Sequence, residues 1–190
     1  MNTIRLYHTG FQTIEAPDIR YGRRNADFGQ GFYLSDDEEF SKRWAKRRQG
    51  SDTVLNSYEL DLDGLRIRRF VRDAEWFDYL FRNRSGGSDM LAQFDVITGP
   101  IANDTLYDTW GIITGGLLSP DLALELLQIG REYTQTVIKT DRALSQLRFL
   151  SARVLSADEI SAYRETVLRE EKDFQAQFAG RLSREPGFDE

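Results

Sequence analysis

The sequence contains no cysteine, one histidine (His8), four prolines and two methionines in 190 residues. Without cysteine there are no disulfides, no thiolate nucleophile and no cysteine-ligated metal, and a cytoplasmic setting is expected. A single histidine excludes a His-rich zinc centre and confines imidazole chemistry to residue 8, so no metal is expected. No uncharged apolar run approaches the roughly 18 residues that span a bilayer, and the opening MNTIRLYHTG lacks the apolar stretch of a secretory signal. No membrane partner is expected. An excess of positive charge is missing too. The net charge is −6, distributed as +2 over residues 1–50, −3 over 51–100, −2 over 101–150 and −3 over 151–190. Proteins that coat nucleic acid through phosphate contacts are usually basic, so that class is disfavoured. An anionic small ligand held by the N-terminal quarter remains open.

What is present suits a globular core: 40% hydrophobic residues and 23 aromatics. The pattern predicts an α+β fold with elements in mixed order. Strands are expected at 4–8, 32–34, 53–61, 64–70, 134–140 and 148–155, and at 94–98 with Gly99-Pro100 ending it. A long loop covers 15–31. Helices are expected at 36–48 with Ser35 as N-cap, and at 73–82, 103–113, 120–130 and 141–147. Ser85-Gly86-Gly87-Ser88 reads as a turn. From Ser156 a capping box opens a charged helix to about residue 180. The organisation is therefore a main domain over 1–155, with an amphipathic helix and tail over 156–190 packed on it. The helix serves either as a cover for the sheet or as a surface for a partner.

Three segments place polar groups where strands end: Tyr7-His8-Thr9-Gly10, Asp27-Phe28-Gly29-Gln30-Gly31-Phe32-Tyr33-Leu34 and Tyr133-Thr134-Gln135-Thr136-Val137. Gly10, Gly29 and Gly31 allow close backbone approach, the last two beside Tyr33, read as exposed. Arg20, Arg23, Arg24 and Asn25 form a basic loop ahead of Tyr33. They are either a solvated surface or, since Arg forks suit a diphosphate, ligand groups.

Together these segments resemble the ADP-ribosyltransferase fold, in the branch whose core triad is His, Tyr and Glu or a substitute. They are closer still to an uncharacterised bacterial family of that clan, encoded like toxin–antitoxin components. That family's phrases are matched by Asp27-Phe28-Gly-x-Gly-Phe-Tyr33, by residues 95–104 from Asp95 to Asp104, and by Gln135-x-x-x-x-Thr140-x-x-Ala143-Leu144. The resemblance covers about residues 4–150. It implies a split, bent mixed β-sheet with peripheral helices. It also implies an NAD-dependent mono-ADP-ribosyltransferase, a glycosyltransferase that uses NAD as co-substrate. The macromolecular acceptor is protein or nucleic acid, and a small antitoxin is the further partner. The catalytic residues it implies are His8, Tyr33 and Gln135. NAD would be held by His8, Thr9, Gly10, Arg24, Asn25, Gly31, Tyr33 and Trp44.

The chemistry suits those residue types. Cleaving the nicotinamide–ribose bond develops cationic character on the ribose, so a site needs aromatic faces for the ring and negative character near the ribose. The Gly10 backbone would hold the nicotinamide carboxamide, and His8 the adenosine ribose. Residue 135 departs from the usual glutamate. Glutamine accepts a hydrogen bond through its amide oxygen but supplies no charge and no general base. Asp104 and Glu132 are carboxylates that either assist or serve in their ordinary roles, a helix cap and a surface charge. The alternatives are a catalytically silent binding module of the same fold and an enzyme using water or an RNA 2′-phosphate as acceptor. In the active reading, the strand over 134–140 aims Gln135 into a cleft, with Thr136 and Ile138 on the same face. Gln135→Glu is then expected to retain or raise NAD cleavage, and Tyr33→Ala to weaken NAD binding while leaving the fold intact.

Overall fold

The structure, a computed structural model, describes residues 2–46, 48–101, 122, 125–126 and 129–183. Its described strands form two sheets. The first has the order β1-β3-β7, from β1 (Thr3–Gly10), β3 (Val54–Asp61) and β7 (Leu147–Val154). All its pairs are antiparallel, and β3 slips register against β7 between Ser57 and Tyr58. The second sheet has the order β2-β6-β5-β4, from β2 (Phe32–Leu34), β6 (Thr134–Ile138), β5 (Val96–Pro100) and β4 (Ile67–Arg69). Its pairs are antiparallel except β4 with β5. The sheets meet at one bridge, where Tyr7 and Ser35 exchange backbone hydrogen bonds of 2.8 and 3.0 Å. The expected mixed α+β class is thus what the chain adopts.

Strand alternation explains how the second sheet fills both of its faces. Val96 and Ile138 turn toward Leu6, Phe32, Tyr58 and Leu60, a core that joins residues of both sheets. The next residues along, Ile97 and Val137, turn the other way, onto Phe28, Phe70, Trp76, Tyr79 and Phe174. That second core is covered by α2 (Ala74–Arg84) and α4 (Ala157–Leu182). In α2, Asp73 caps the helix by accepting from the Trp76 amide at 2.9 Å, and the Trp76 indole N–H donates to the Pro100 carbonyl. In α4 the capping box is formed by Ser156 and Glu159. The Ser156 amide, with Arg153 beside it, pulls the Glu159 carboxyl down to about 2. Phe174 of α4 is buried in the same core as Phe28, so this helix covers part of the core. Among the described residues, no helix is long and apolar enough to cross a membrane.

Several boundaries differ from expectation. The helix expected at 36–48 is only α1 (Glu38–Lys42), and Asp37 caps it rather than Ser35. Ser35 is held extended by its bridge to Tyr7, so the chain cannot turn into a helix until two residues later. Its Oγ accepts from the Asp37 amide and donates to the Thr134 carbonyl. The expected pairing of Phe40 with Trp44 holds, as an edge contact of 6.5 Å between ring centroids. Gly99-Pro100 does not end β5 but pairs with Gln135 and Thr134, because β6 extends that far. The helix expected at 103–113 lies outside the described residues. Within 120–130, residues 122, 125 and 126 are helical. The strands expected at 134–140 and 64–70 shorten to β6 and β4, and the helix at 141–147 to α3 (Asp141–Ser145).

Candidate functional site

The bridge between the sheets brings the ends of β1, β2 and β6 together, and a cavity of about 330 Å³ opens there. That is the low end of the ~300–1,000 Å³ usual for ligand pockets. His8 and Thr9 reach it from β1, Tyr33 from β2 and Gln135 from β6. Ser41 and Trp44 enter from α1 and the turn after it, and Arg23, Asp27 and Arg84 close another side. His8, Tyr33 and Gln135 therefore share one cavity.

His8 donates from Nδ1 to the backbone carbonyl of Tyr33 at 2.9 Å. A carbonyl only accepts, so the proton sits on Nδ1 and Nε2 is left as an acceptor in the neutral ring. Burial pushes the His8 pKa below its ordinary value, against the Tyr33 carbonyl bond, which raises it. A lowered folded-state pKa has a definite sign. Stability from this group is complete above the unfolded value of about 6.5 and falls as pH drops, because the unfolded chain then binds a proton that the folded chain resists. Urea unfolding at pH 7.5 and 5.5 checks this. The wild type is expected to lose more stability between the two pH values than His8→Gln does. Equal losses would mean that His8 is not held neutral.

The Tyr33 ring lines the cavity, but its hydroxyl turns into the protein. It donates to the Gly29 carbonyl at 2.7 Å and accepts from the Phe28 amide at 2.9 Å. Tyr33 is thus half-buried, not exposed, and burial pushes its phenol pKa up. Its bonds pin the 26–31 loop, which is held from other sides as well. Lys139 donates to the Phe28 carbonyl, the Asn83 amide donates to the Asp27 carbonyl at 3.0 Å, and Gln30 donates to the Arg20 and Gly22 carbonyls. Gly29 sits at φ +73°, where a Cβ would lie 2.8 Å from an Asp89 carboxylate oxygen and 2.9 Å from Lys139 Nζ. Conformation and space both require glycine there.

Gln135 is buried, and its amide nitrogen donates to Asp27 Oδ2 at 3.0 Å. Arg84, the last residue of α2, holds the other carboxylate oxygen, Oδ1, through Nε and Nη2. The period of two groups Gln135 with Val137, so Thr136 and Ile138 lie on the opposite face from Gln135, contrary to expectation.

Trp44 is 51% exposed at the cavity edge. Behind it Phe40 stacks on Tyr133 with ring centroids 4.4 Å apart, and the Arg43 guanidinium lies 4.7 Å from the Tyr133 ring centre. Glu170 of α4 accepts from both Arg43 and the Tyr133 hydroxyl, tying the long helix to this wall.

Other expected groups stand elsewhere. Arg24 and Asn25 are exposed and do not line the cavity, and Arg23 and Arg84 line it instead. Gly31 is not a lining residue: a Cβ there would lie 2.5 Å from the Ile138 carbonyl, so it serves the close approach of the loop to β6. Gly10 packs against the His8 ring, its Cβ position 3.2 Å from Nε2. Glu132 pairs with Arg72 at 3.9 Å, and Asp104 lies outside the described residues. Among the described residues, no group of three or more acidic or histidine side chains could hold a metal ion.

A family model described as "Protein of unknown function (DUF3990)" matches residues 4–149. The chain belongs to that family. No curated protein and no solved structure matches. The DUF3990 match includes every described residue that lines the cavity, from Tyr7 to Gln135, while α4 lies beyond it. Of the lining residues of this DUF3990 chain, Asp27 and Arg84 carry no role read from the sequence. Asp27 was visible within the Asp-Phe-Gly phrase. Arg84 carries no local signal, since a basic residue in the last turn of a helix is ordinary.

Proposed function

We propose that this DUF3990 member is an NAD-dependent mono-ADP-ribosyltransferase that acts in the cytoplasm on a macromolecular acceptor, as the toxin of a toxin–antitoxin pair. The observation that carries the reading is one cavity lined by His8, Tyr33, Trp44 and Gln135, with Arg23 and Arg84 also lining it. This donor set fits NAD: aromatic faces for a cationic ring, acceptors for ribose hydroxyls and guanidiniums for a diphosphate. The fold, with two sheets meeting beside the cavity and mixed pairing, is compatible with the split sheet of ADP-ribosyltransferases.

NAD supplies an activated N-glycosidic bond whose cleavage leaves positive charge on the ribose carbon and frees neutral nicotinamide. Trp44 and Tyr33 bind the nicotinamide ring before cleavage, and cation–π attraction contributes about 0.5–2 kcal/mol. His8 Nε2 accepts a hydrogen bond from a hydroxyl of the adenosine ribose, which needs the neutral ring that burial favours. The Gln135 oxygen accepts the 2′-hydroxyl of the other ribose and places a fixed dipole near the developing charge. Arg23 faces the diphosphate, and Arg84, bound to Asp27, adds positive charge beside it. The acceptor heteroatom bonds to the ribose carbon as nicotinamide leaves with the bonding electron pair, and the acceptor's proton passes to solvent.

A second reading, a module that binds NAD without cleaving it, is favoured by one observation: residue 135 is an amide and offers no general base. Purified protein incubated with labelled NAD and cell lysate separates the readings. Label is expected in a macromolecular band, and protease or nuclease treatment assigns the acceptor class. Nicotinamide release without a labelled band would indicate water as acceptor. No release and no band would leave binding alone.

A further inference from the structure

Gln135 and Asp27 are 108 residues apart, yet their side chains share a hydrogen bond of 3.0 Å on the cavity wall. The Asp27 carboxylate only accepts, so it fixes which end of the Gln135 amide faces it. The nitrogen points to Asp27, and the oxygen is the end left for a ligand. Asp27 is itself held. Arg84 occupies Oδ1 while Gln135 takes Oδ2, and the neighbouring Asn83 donates to the Asp27 carbonyl. The side chains of Asp27 and Arg84 are 13% and 11% exposed, so solvent screens this cluster little.

We propose that Asp27 is the positioning residue for Gln135, its carboxylate orienting and polarising the amide so that the pair does the work of one carboxylate at position 135. The inference rests on the transferase reading and deepens it. A hydrogen bond to an ionised acceptor is roughly twice as strong as a neutral one. Donation from the amide N–H to a carboxylate moves electron density onto the amide oxygen, which becomes a better acceptor for a ribose hydroxyl and more negative toward a developing cation. The Gln135 oxygen thus presents a larger partial negative charge to the reacting ribose although residue 135 is neutral and Arg84 offsets part of the Asp27 charge.

The arrangement reverses the expectation for Gln135→Glu. A glutamate at 135 would set two carboxylates about 3 Å apart, and like charges that close disfavour double ionisation. Gln135→Glu alone is therefore expected to slow NAD cleavage. Combined with Asp27→Asn, it restores one donor, one acceptor and the same total charge, with the roles exchanged.

The test is a double-mutant cycle on nicotinamide release by the full chain, with melting temperatures confirming that each variant folds. Asp27→Asn in the wild-type background is expected to lower kcat roughly tenfold, about 1.4 kcal/mol, with the KM for NAD changed by less than about twofold. In the Gln135→Glu background the same substitution is expected to raise kcat. Loss of a purely structural residue would lower kcat in both backgrounds, and that result, or an unchanged kcat in the wild-type background, overturns the inference while leaving the transferase reading intact. If the wild type releases no nicotinamide, the transferase reading fails by itself. The side-chain amide resonances of Gln135 in the ligand-free protein then decide the positioning claim. A marked shift in Asp27→Asn sustains it, and an unchanged pair of resonances overturns it.

Discussion

Asp89→Ala is expected to destabilise the protein by about 3–5 kcal/mol, the usual cost of leaving one member of a buried ion pair alone. The charge left behind is Lys139, whose side chain is 3% exposed and whose ammonium lies 2.6 Å from Asp89 Oδ2. Burial lowers the Lys139 pKa, and the Asp89 carboxylate opposes that shift. Without Asp89, the ammonium would keep its bond to the Phe28 carbonyl and lose its counter-charge. Lys139→Met should cost much less. Asp89 would keep the Tyr79 hydroxyl and the Leu91 amide as donors, at 2.7 and 2.9 Å, and an apolar chain would fill the buried path. Urea denaturation of both variants checks the contrast. Equal losses would mean that the pair is not what holds this region. Since Lys139 and Asp89 both border Gly29, the Asp89 variant should also loosen the loop that carries Asp27.

Tyr33→Ala is expected to lose about 3 kcal/mol of stability, the low end for removing a large packed aromatic, together with nearly all affinity for NAD. From the sequence the fold is expected to stay intact after this change, and the hydroxyl contacts add a cost in stability. Tyr33 holds the Phe28 amide and the Gly29 carbonyl, so its removal frees the 26–31 loop as well as the cavity wall. Tyr33→Phe separates the two roles. It keeps the ring that lines the cavity and removes only the loop anchor. Its NAD affinity should stay within a few-fold of the wild type, while its stability falls by about 1 kcal/mol or somewhat more for the two hydrogen bonds. If Tyr33→Phe lost NAD binding as completely as Tyr33→Ala, the ring would not be the binding element. Calorimetric titration with NAD, alongside melting curves, measures both quantities.

Much of the architecture was legible because it is written in local periodicity. The alternation in residues 54–61 and the capping box at Ser156 gave β3 and α4 nearly at their observed bounds, and β2 was read residue for residue. Where reading failed, a partner distant in sequence had decided the local conformation. Ser35 looks like an N-cap but is captured by Tyr7 of β1, which moves the start of α1 to Asp37 and Glu38. Gly99-Pro100 looks like a stop but is paired by β6. The site divides in the same way. His8, Tyr33 and Gln135 each lie in a recognisable phrase, and one cavity holds all three. Arg24 and Asn25 are favoured by the family resemblance, whereas Arg23 and Arg84 line the cavity. The partnership of Asp27 with Arg84 and Gln135 spans 57 and 108 residues, a distance at which no spacing rule operates.

The central claim is that this cavity cleaves NAD with Gln135 touching the ribose, and the rate of nicotinamide release from NAD by the purified protein tests it most directly. Release by the wild type is expected well above the rate in buffer, with a roughly 5- to 150-fold lower rate in Gln135→Ala, the equivalent of about 1–3 kcal/mol for one lost hydrogen bond at the transition state. Release at the buffer rate by a folded wild-type protein, or equal rates in the wild type and Gln135→Ala, would contradict it.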